Sequence, residues 1–458
     1  MRRIAVVGAG IAGLVAAHGL ARAGYEVTVL SDRTAEQQLA GRPTGTAARF
    51  APALAYEREL GLDHWDHQAP KIVGAHLLAC LRPGNQLATL IGRQSAPGLA
   101  IDVRLQSHRW LHDLEARGGR VRIETVTLDR LDAIAAEHDL TVVAAGKGEL
   151  GALFERDEER SVYREPQRNV AMVTVVGPSL EREGIPFVGV KNNIIEGVGE
   201  AVWIPYFHRD VGPCWNLIFE AKAGGPMDVF MAAKSGAEAL ASARRTIETL
   251  VPWDVAWARG MALADELGWL VGRITPTVRR PVGRLPSGRV VTCIGDTAML
   301  FDPIAAQGAN NGTKMARHLV ERVIAHEDRA FDAAWMTETF ESFWATLGHP
   351  AFALTNLMLE PMSPAGRLLL MAQYGSDGRD REGAPTGRQA LADRFADGFA
   401  HPAPILAALT DVAEARRMIG ETLGGWWGRP VAAGAIGIAW RQLRQALGRA
   451  PGHPGTPA

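Results

Sequence analysis

Cysteine is scarce in this chain: Cys80, Cys214 and Cys293 are its three, far apart and at no metal-ligand spacing. An odd number so dispersed excludes a disulfide framework and points to a reducing cytoplasm. An excess of either charge is also missing. Forty-nine basic residues meet 50 acidic ones for a net charge of −1, so no overall field draws in nucleic acid or an anionic membrane surface. Lysine is rare, with Lys71, Lys147, Lys191, Lys222, Lys234 and Lys314 the only six, an arginine preference that says little about partners. There is no internal repeat, no G-x-S-x-G and no H-E-x-x-H, so nothing marks an esterase-type or zincin-type hydrolase. What remains is an ordinary globular balance, 47% hydrophobic and 22% charged, in 458 residues that allow two or three domains.

The first 23 residues, with Arg2 and Arg3 before a small apolar stretch, resemble a signal peptide only superficially. They carry glycines at nucleotide-binding spacing and run straight into a second strand pattern, with no cleavage site between. Residues 3–8 predict a buried strand, 11–23 a helix with small residues on its packing face, and 26–30 the next strand. This is the β-α-β opening of a doubly wound α/β sheet, a Rossmann-type fold. "VVGAGIAG" places G-x-G-x-x-G at Gly8, Gly10 and Gly13: a tight turn, a close approach for pyrophosphate, and close helix–strand packing. Phosphates would sit on the N–H groups of the helix start, at Ile11 and Ala12.

Further along, strand-like runs end in glycine at 140–146 and 290–295, whereas 170–220 changes to short β-type runs separated by turns, an inserted antiparallel sheet. The expected organisation is a nucleotide-binding domain in three parts (1–48, 96–165 and 281–328), a pocket segment at 49–95, and a β-sheet substrate domain at 166–280. A Trp/Met-rich helical region at 329–420 and an apolar, basic tail at 421–458 follow, the last eight residues being disordered.

The fingerprint does not choose between NAD and FAD. "VTCIGDTAMLFDPIAAQGANNG" does: Gly295 and Asp296 end a strand, and a loop with Pro303 leads to a helix start at 307–312. The acid can accept from a sugar-alcohol hydroxyl, and the helix start offers N–H donors to a ring that turns anionic on reduction. A nicotinamide cofactor has no use for a second site of this kind. The reading is FAD.

At these residues the chain resembles the FAD-binding oxygenase component of the styrene and indole monooxygenases, within the aromatic-hydroxylase-like flavoproteins. "VVGAGIAGL", "VTVLSDR", "APGLAIDVRL", "LEARGGRV", "HDLTVVAAGKGELGALFE", "EPQR", "GDTAMLFDPIAAQGAN" and "ADRFADGF" occur in family order, to about residue 420. The resemblance implies that Ser31, Asp32 and Arg33 take the ribose end, and that Arg42 and Arg104 lie beside the flavin. Single-component hydroxylases carry Asp-Gly where this chain has Ala145-Gly146, a position counted with the cofactor site. That difference implies no pyridine-nucleotide site, with FADH2 supplied by a separate NADH-dependent flavin reductase.

The implied chemistry is reaction of FADH2 with O2 to a C4a-hydroperoxide that epoxidises or hydroxylates a small hydrophobic aromatic substrate. Arg42, Pro303, Gln307, Gly308, Ala309 and Asn310 are expected around the ring, positioning and hydrogen-bonding it, with helix capping the plainer role for Asn310 and Asn311. Where styrene-converting members have N-x-V-x-H, this chain has Gly45, Ala47 and Arg49, which implies a differently shaped cavity with a new cation, suited to an indole or a natural-product aromatic. Trp203, Phe207, Trp215 and Phe219 are candidates for the opposite wall, core packing being their alternative. His64 and His67 have loose metal spacing but read as a solvated helix end, so no metal is expected. The tail is too short to span a bilayer. Trp426, Trp427 and Trp440 suit an interface, the alternative being a helix packed on the body or in a homodimer contact. Two competing functions stay open: a self-sufficient NAD(P)H-dependent hydroxylase, and a non-catalytic flavin-binding pathway protein.

Overall fold

The computed structural model describes residues 2–146, 149–182, 184–375 and 387–448, so the eight C-terminal residues expected to be disordered lie outside the described residues. The chain divides into two compact units. One is Met1–His67, Ile101–Pro166 and Ile274–Asn356; the other is Gln68–Ala100, Gln167–Arg273 and Leu357–Ala458.

The first unit is built on a six-stranded sheet in the order Val282–Arg284, Val290–Cys293, Leu140–Val143, Arg3–Val7, Glu26–Ser31, Arg120–Ile123. All neighbours are parallel except the first pair. Apolar runs such as Ile4, Ala5 and Val6, each 0% exposed, are what a parallel sheet covered on both faces demands. Register aligns Val7 with Leu30 and Val143, and Val143 with Cys293, so these carboxyl ends share one edge.

The unit boundaries differ from the expected ones. The break falls after His67, not Ala48, because Tyr56 of the Ala51–Glu59 helix and its C-cap Leu60 pack in the same core as Leu14 and Val15. It falls after Ala100, not 95, because the strand Asn85–Ala100 is continuous. The next break precedes Ile274, since Thr277–Val278 pairs with Met299–Leu300. The helical region is split as well: Trp335, Met336, Phe340 and Phe343 join the first unit's core, and everything from Leu357 belongs to the second unit.

The second unit orders its strands Ala262–Leu263, Asn169–Val176, Gly212–Ala221, Gly199–His208, Val190–Ile195, Ile72–Arg82, Asn85–Ala100, with Trp269–Arg273 also on Asn169–Val176. It is not wholly antiparallel: Ile72–Arg82 runs parallel to Val190–Ile195, because the hairpin of the pocket segment joins an edge that comes from elsewhere in the chain. One face packs on the Gly236–Leu250 helix through Ala239, Ala243 and Ile247. All three cysteines are free and buried, and burial pushes the Cys80 thiol up to about 12, which makes it inert.

Candidate active site

The strand Arg3–Val7 stops at Gly8, where φ is +118° and a Cβ would overlap the Ala144 carbonyl. At Gly13 a Cβ would overlap the Gly8 carbonyl oxygen, so helix and strand could not close up. Gly10 is different. Nothing lies within 4 Å of a Cβ built there, and Gly10 starts the Ile11–Arg22 helix without a side-chain cap. An open cradle over the first N–H groups of a helix is what a pyrophosphate requires.

At the end of the next strand the buried Ser31 Oγ donates to the Arg33 carbonyl (2.7 Å) and accepts from the Arg33 N–H (3.2 Å). That turn sets the Asp32 carboxylate out in solvent, 3.7 Å from Arg33 Nε, as the acid available to a ribose. Arg104 is held by protein groups. It is buried, its Nε and Nη2 donating to the Asp102 carboxylate (2.9 and 2.7 Å) and its Nη1 to the Gly41 carbonyl (3.3 Å). Its contacts anchor the start of the 41–47 loop, on which Arg42 stands exposed.

At the other end of the sequence, Gly295 has φ +61° and is followed by an exposed Asp296. Arg279 Nη1 holds this turn by donating to the carbonyls of Asp296 (3.3 Å) and Thr297 (3.0 Å), a role no motif announces. The strand Leu140–Val143 runs out into Ala145 and Gly146, and the Gly146 carbonyl accepts from Thr297 Oγ1 (3.3 Å). Pro303 begins a short turn capped by Asp302, whose Oδ1 accepts from the Ile304 N–H (3.1 Å). Ala306 then takes a left-handed conformation, φ +52°, and the Gln307–Ala325 helix begins with no side-chain cap. Gln307 is buried, its Nε2 donating to the Ala305 carbonyl (2.9 Å); Gly308 and Ala309 are half-buried and supply the next helix-start N–H groups.

These two helix starts meet. A Cβ on Gly295 would lie 2.8 Å from Ala12 Cβ, and one on Gly312 would lie 3.2 Å from it. One turn and more along, a Cβ on Gly19 would press on Val320 at 2.8 Å. The helices therefore run side by side in the same direction, with their N-termini at the carboxyl edge of the sheet. Gln106, on the Val103–Ala116 helix, is announced by no motif. It is fully buried, and neither Oε1 nor Nε2 has a hydrogen-bond partner among the described residues. A buried amide is costly unless paired. The uncapped helix starts and the Gly10 cradle fit FAD.

Two expected roles are corrected. The Asn310 side chain is committed to backbone: Nδ2 donates to the carbonyls of Ala306 (2.7 Å) and Ala48 (2.9 Å), and Oδ1 accepts from the Phe50 N–H (2.7 Å). It clamps the 48–50 segment to the helix start and does not reach for the ring. Arg49 is not a pocket cation. It is 0% exposed, its Nε 2.6 Å from Glu57 Oε1 and its Nη1 donating to the Ala47 carbonyl (2.7 Å). Ala47, like Ala306, is left-handed (φ +50°), and Gly45 has nothing within 4 Å of a built Cβ. The Glu57 carboxyl is pushed up to about 7 by burial, with the charge of Arg49 opposing.

Asn310→Ala would strand the Phe50 N–H and the Ala48 carbonyl in the interior. The expected loss is about 2–4 kcal/mol in urea unfolding, at roughly 1–3 kcal/mol per buried group left unpaired. Wild-type stability in that variant would refute the clamp.

Residues 146–256 match the family model of the styrene monooxygenase A substrate-binding domain, and residues 6–35 that of an NAD(P)-binding Rossmann-like domain. Styrene monooxygenase StyA of Pseudomonas fluorescens is 28% identical over 408 residues, covering 88% of this chain and 93% of the relative. Over most of its length the chain is similar to the oxygenases of the styrene monooxygenase family. It is a FAD-dependent monooxygenase. Among solved structures, a flavoprotein/dehydrogenase from Cytophaga hutchinsonii matches with a TM-score of 0.60 at 12% identity, covering 97% of this chain and 99% of that one. The flavin-dependent halogenase CmlS matches at 0.59 and 15%, covering 91% and 76%. At such identities the likeness shows the fold alone, and Glu200 and Val202 stand where a halogenase W-x-W-x-I-P motif needs tryptophan.

In this styrene monooxygenase-type chain the proposed aromatic wall is core. Trp203, Trp215 and Phe219 are at most 1% exposed. Trp257 packs on both tryptophans, at ring-centroid distances of 4.3 and 5.2 Å, and Phe230 stacks on Phe219 at 4.5 Å. Phe207 is half-buried near the end of its strand, beside Gly212. Because strand side chains alternate, Val202, Ile204, Tyr206 and Ile218 occupy the opposite face, buried as well. His64 is bound to Asp113 (Nε2 to Oδ2, 2.5 Å).

Proposed function

We propose that this oxygenase takes FADH2 from a separate NADH-dependent flavin reductase and inserts one atom of O2 into a small hydrophobic aromatic, by epoxidation or hydroxylation. Reduced FAD supplies the oxygen-activating chemistry when bound. The residues of the chain bind and orient it: Gly10, Ile11 and Ala12 at the pyrophosphate, Asp32 at the ribose, Asp296 and Gln106 at the hydroxyl-bearing chain, and the N–H groups of 307–309 at the ring. Arg42 on its loop provides a cation near the ring, and Pro303 shapes the approach. The observation that carries the reading is the meeting of two uncapped helix starts from opposite ends of the sequence at Ala12, Gly295 and Gly312. One long dinucleotide suits both.

Ala145-Gly146, in place of an acid-glycine pair, supports the absence of an NADPH site. The substrate-recognising face of the sheet is, in this proposal, the one bearing Val202, Ile204, Tyr206 and Ile218. Gly45 and Ala47, small where styrene-converting members carry larger side chains, favour an indole or larger aromatic over styrene. Three free cysteines support action in the cytoplasm.

Stopped-flow mixing of FAD-loaded protein with NADPH or NADH alone should leave the oxidised flavin absorbance unchanged over many seconds. Adding a flavin reductase should start product formation from indole. Rapid bleaching without the reductase would instead favour the self-sufficient hydroxylase.

A further inference from the structure

The Gly428–Ala446 helix is mounted with its polar side inward. Gln442 and Gln445 donate from Nε2 to the Gln86 carbonyl (2.8 and 2.6 Å), and Arg441 Nη2 donates to Gln86 Oε1 (2.7 Å). On the same side a Cβ on Gly434 would overlap the Met371 carbonyl, and one on Gly437 would lie 2.5 Å from the Tyr374 ring. The outward side is apolar. Ile436 is 70% exposed, Trp440 62% and Leu447 65%, with Leu443 between the last two at 47%. At 3.6 residues per turn these four form one stripe, and the exposed Ala432 and Ala439 widen it. A helix lying on a water-facing surface shows the reverse arrangement.

We infer that this stripe is a docking surface for an anionic lipid membrane, on which the helix lies in the headgroup plane. Charge selects this occupant over a second copy of the chain. Residues 422–458 hold Arg429, Arg441, Arg444 and Arg449 and no aspartate or glutamate. Arg441 is turned inward onto Gln86, but pairing two such helices brings Arg429 and Arg444 against their copies with no acid in the segment to meet them, whereas lipid phosphates meet both. Trp426, 73% exposed just before the helix, and Trp440 within it are amphipathic rings suited to the headgroup level. No described helix is long and apolar enough to cross a membrane, so the contact is peripheral. A net charge of −1 provides no long-range attraction, which leaves this local patch to supply the affinity.

The test is flotation of the full-length protein on a density gradient with vesicles of phosphatidylcholine alone or mixed equally with phosphatidylglycerol. The protein should float with the mixed vesicles and be released by added salt. Ile436→Gln/Trp440→Gln/Leu443→Gln should abolish flotation while circular dichroism and FAD binding stay as in wild type. Arg429→Gln/Arg444→Gln should weaken binding about 25-fold, at about 1 kcal/mol per basic residue near such a surface. Three outcomes would overturn the inference: wild type remaining at the bottom with both vesicles, flotation of the triple variant equal to wild type, or a solution dimer that the triple variant dissolves.

Discussion

Gly10→Val is expected to fold normally and to bind FAD about a hundredfold more weakly, a loss of roughly 3 kcal/mol. The backbone at Gly10 is extended (φ −82°, ψ 179°), a conformation open to any residue, and no atom lies within 4 Å of the added Cβ. The apoprotein has no reason to object. The cofactor does, because the side chain would fill the cradle over the first helical N–H groups. Gly13→Ala makes the contrast: its methyl would overlap the Gly8 carbonyl oxygen, so stability and FAD binding should fall together. Flavin fluorescence titration beside urea unfolding separates the two. Wild-type affinity in Gly10→Val would remove the pyrophosphate from this turn.

Arg49→Met should cost about 3–5 kcal/mol, the usual penalty for leaving a buried charge without its partner. Arg49→Met/Glu57→Leu should recover most of that loss, since two apolar side chains can fill the site with nothing stranded. The pH dependence has a definite sign. The Glu57 pKa lies at about 7, above its ordinary 4.5, because burial penalises the carboxylate more than Arg49 rescues it. A carboxyl raised in the fold contributes stability that is complete below 4.5 and lost as pH rises through about 7. Removing Arg49 raises it further, so the single variant should lose less stability at about pH 5 than at about pH 8. A penalty independent of pH, or a double variant as damaged as the single one, would contradict the pairing.

The parts of the site readable in the sequence are those whose partners lie close in the chain. Gly8, Gly10 and Gly13 form one turn, and Gly295 with Asp296 ends one strand, so a motif can carry them. Arg49 was misjudged because its partner, Glu57, belongs to no motif and neutralises what looked like a pocket cation. Asn310 stands in the first turn of the Gln307–Ala325 helix, but its partners are backbone groups, one of them 260 residues away. Gln106 and Arg279 act through burial and reach, which leave no signature in spacing. The aromatic strands show a further limit. Period two puts Trp203, Trp215 and Phe219 on one face, yet only Trp257 and Phe230 decide that this face is interior. In the tail the mixture of apolar and basic residues was legible; that the glutamines would turn inward depended on Gly434 and Gly437 giving the helix its seat.

Ala12 touching Gly295 and Gly312 through nothing but small side chains and backbone also bears on how the enzyme spends its time between turnovers. The receptacle is braced by protein against protein, so its shape does not wait for a guest. In the proposed two-component cycle, a flavin that arrives from solution and leaves again needs such a host, one whose shape is set by the protein's own contacts.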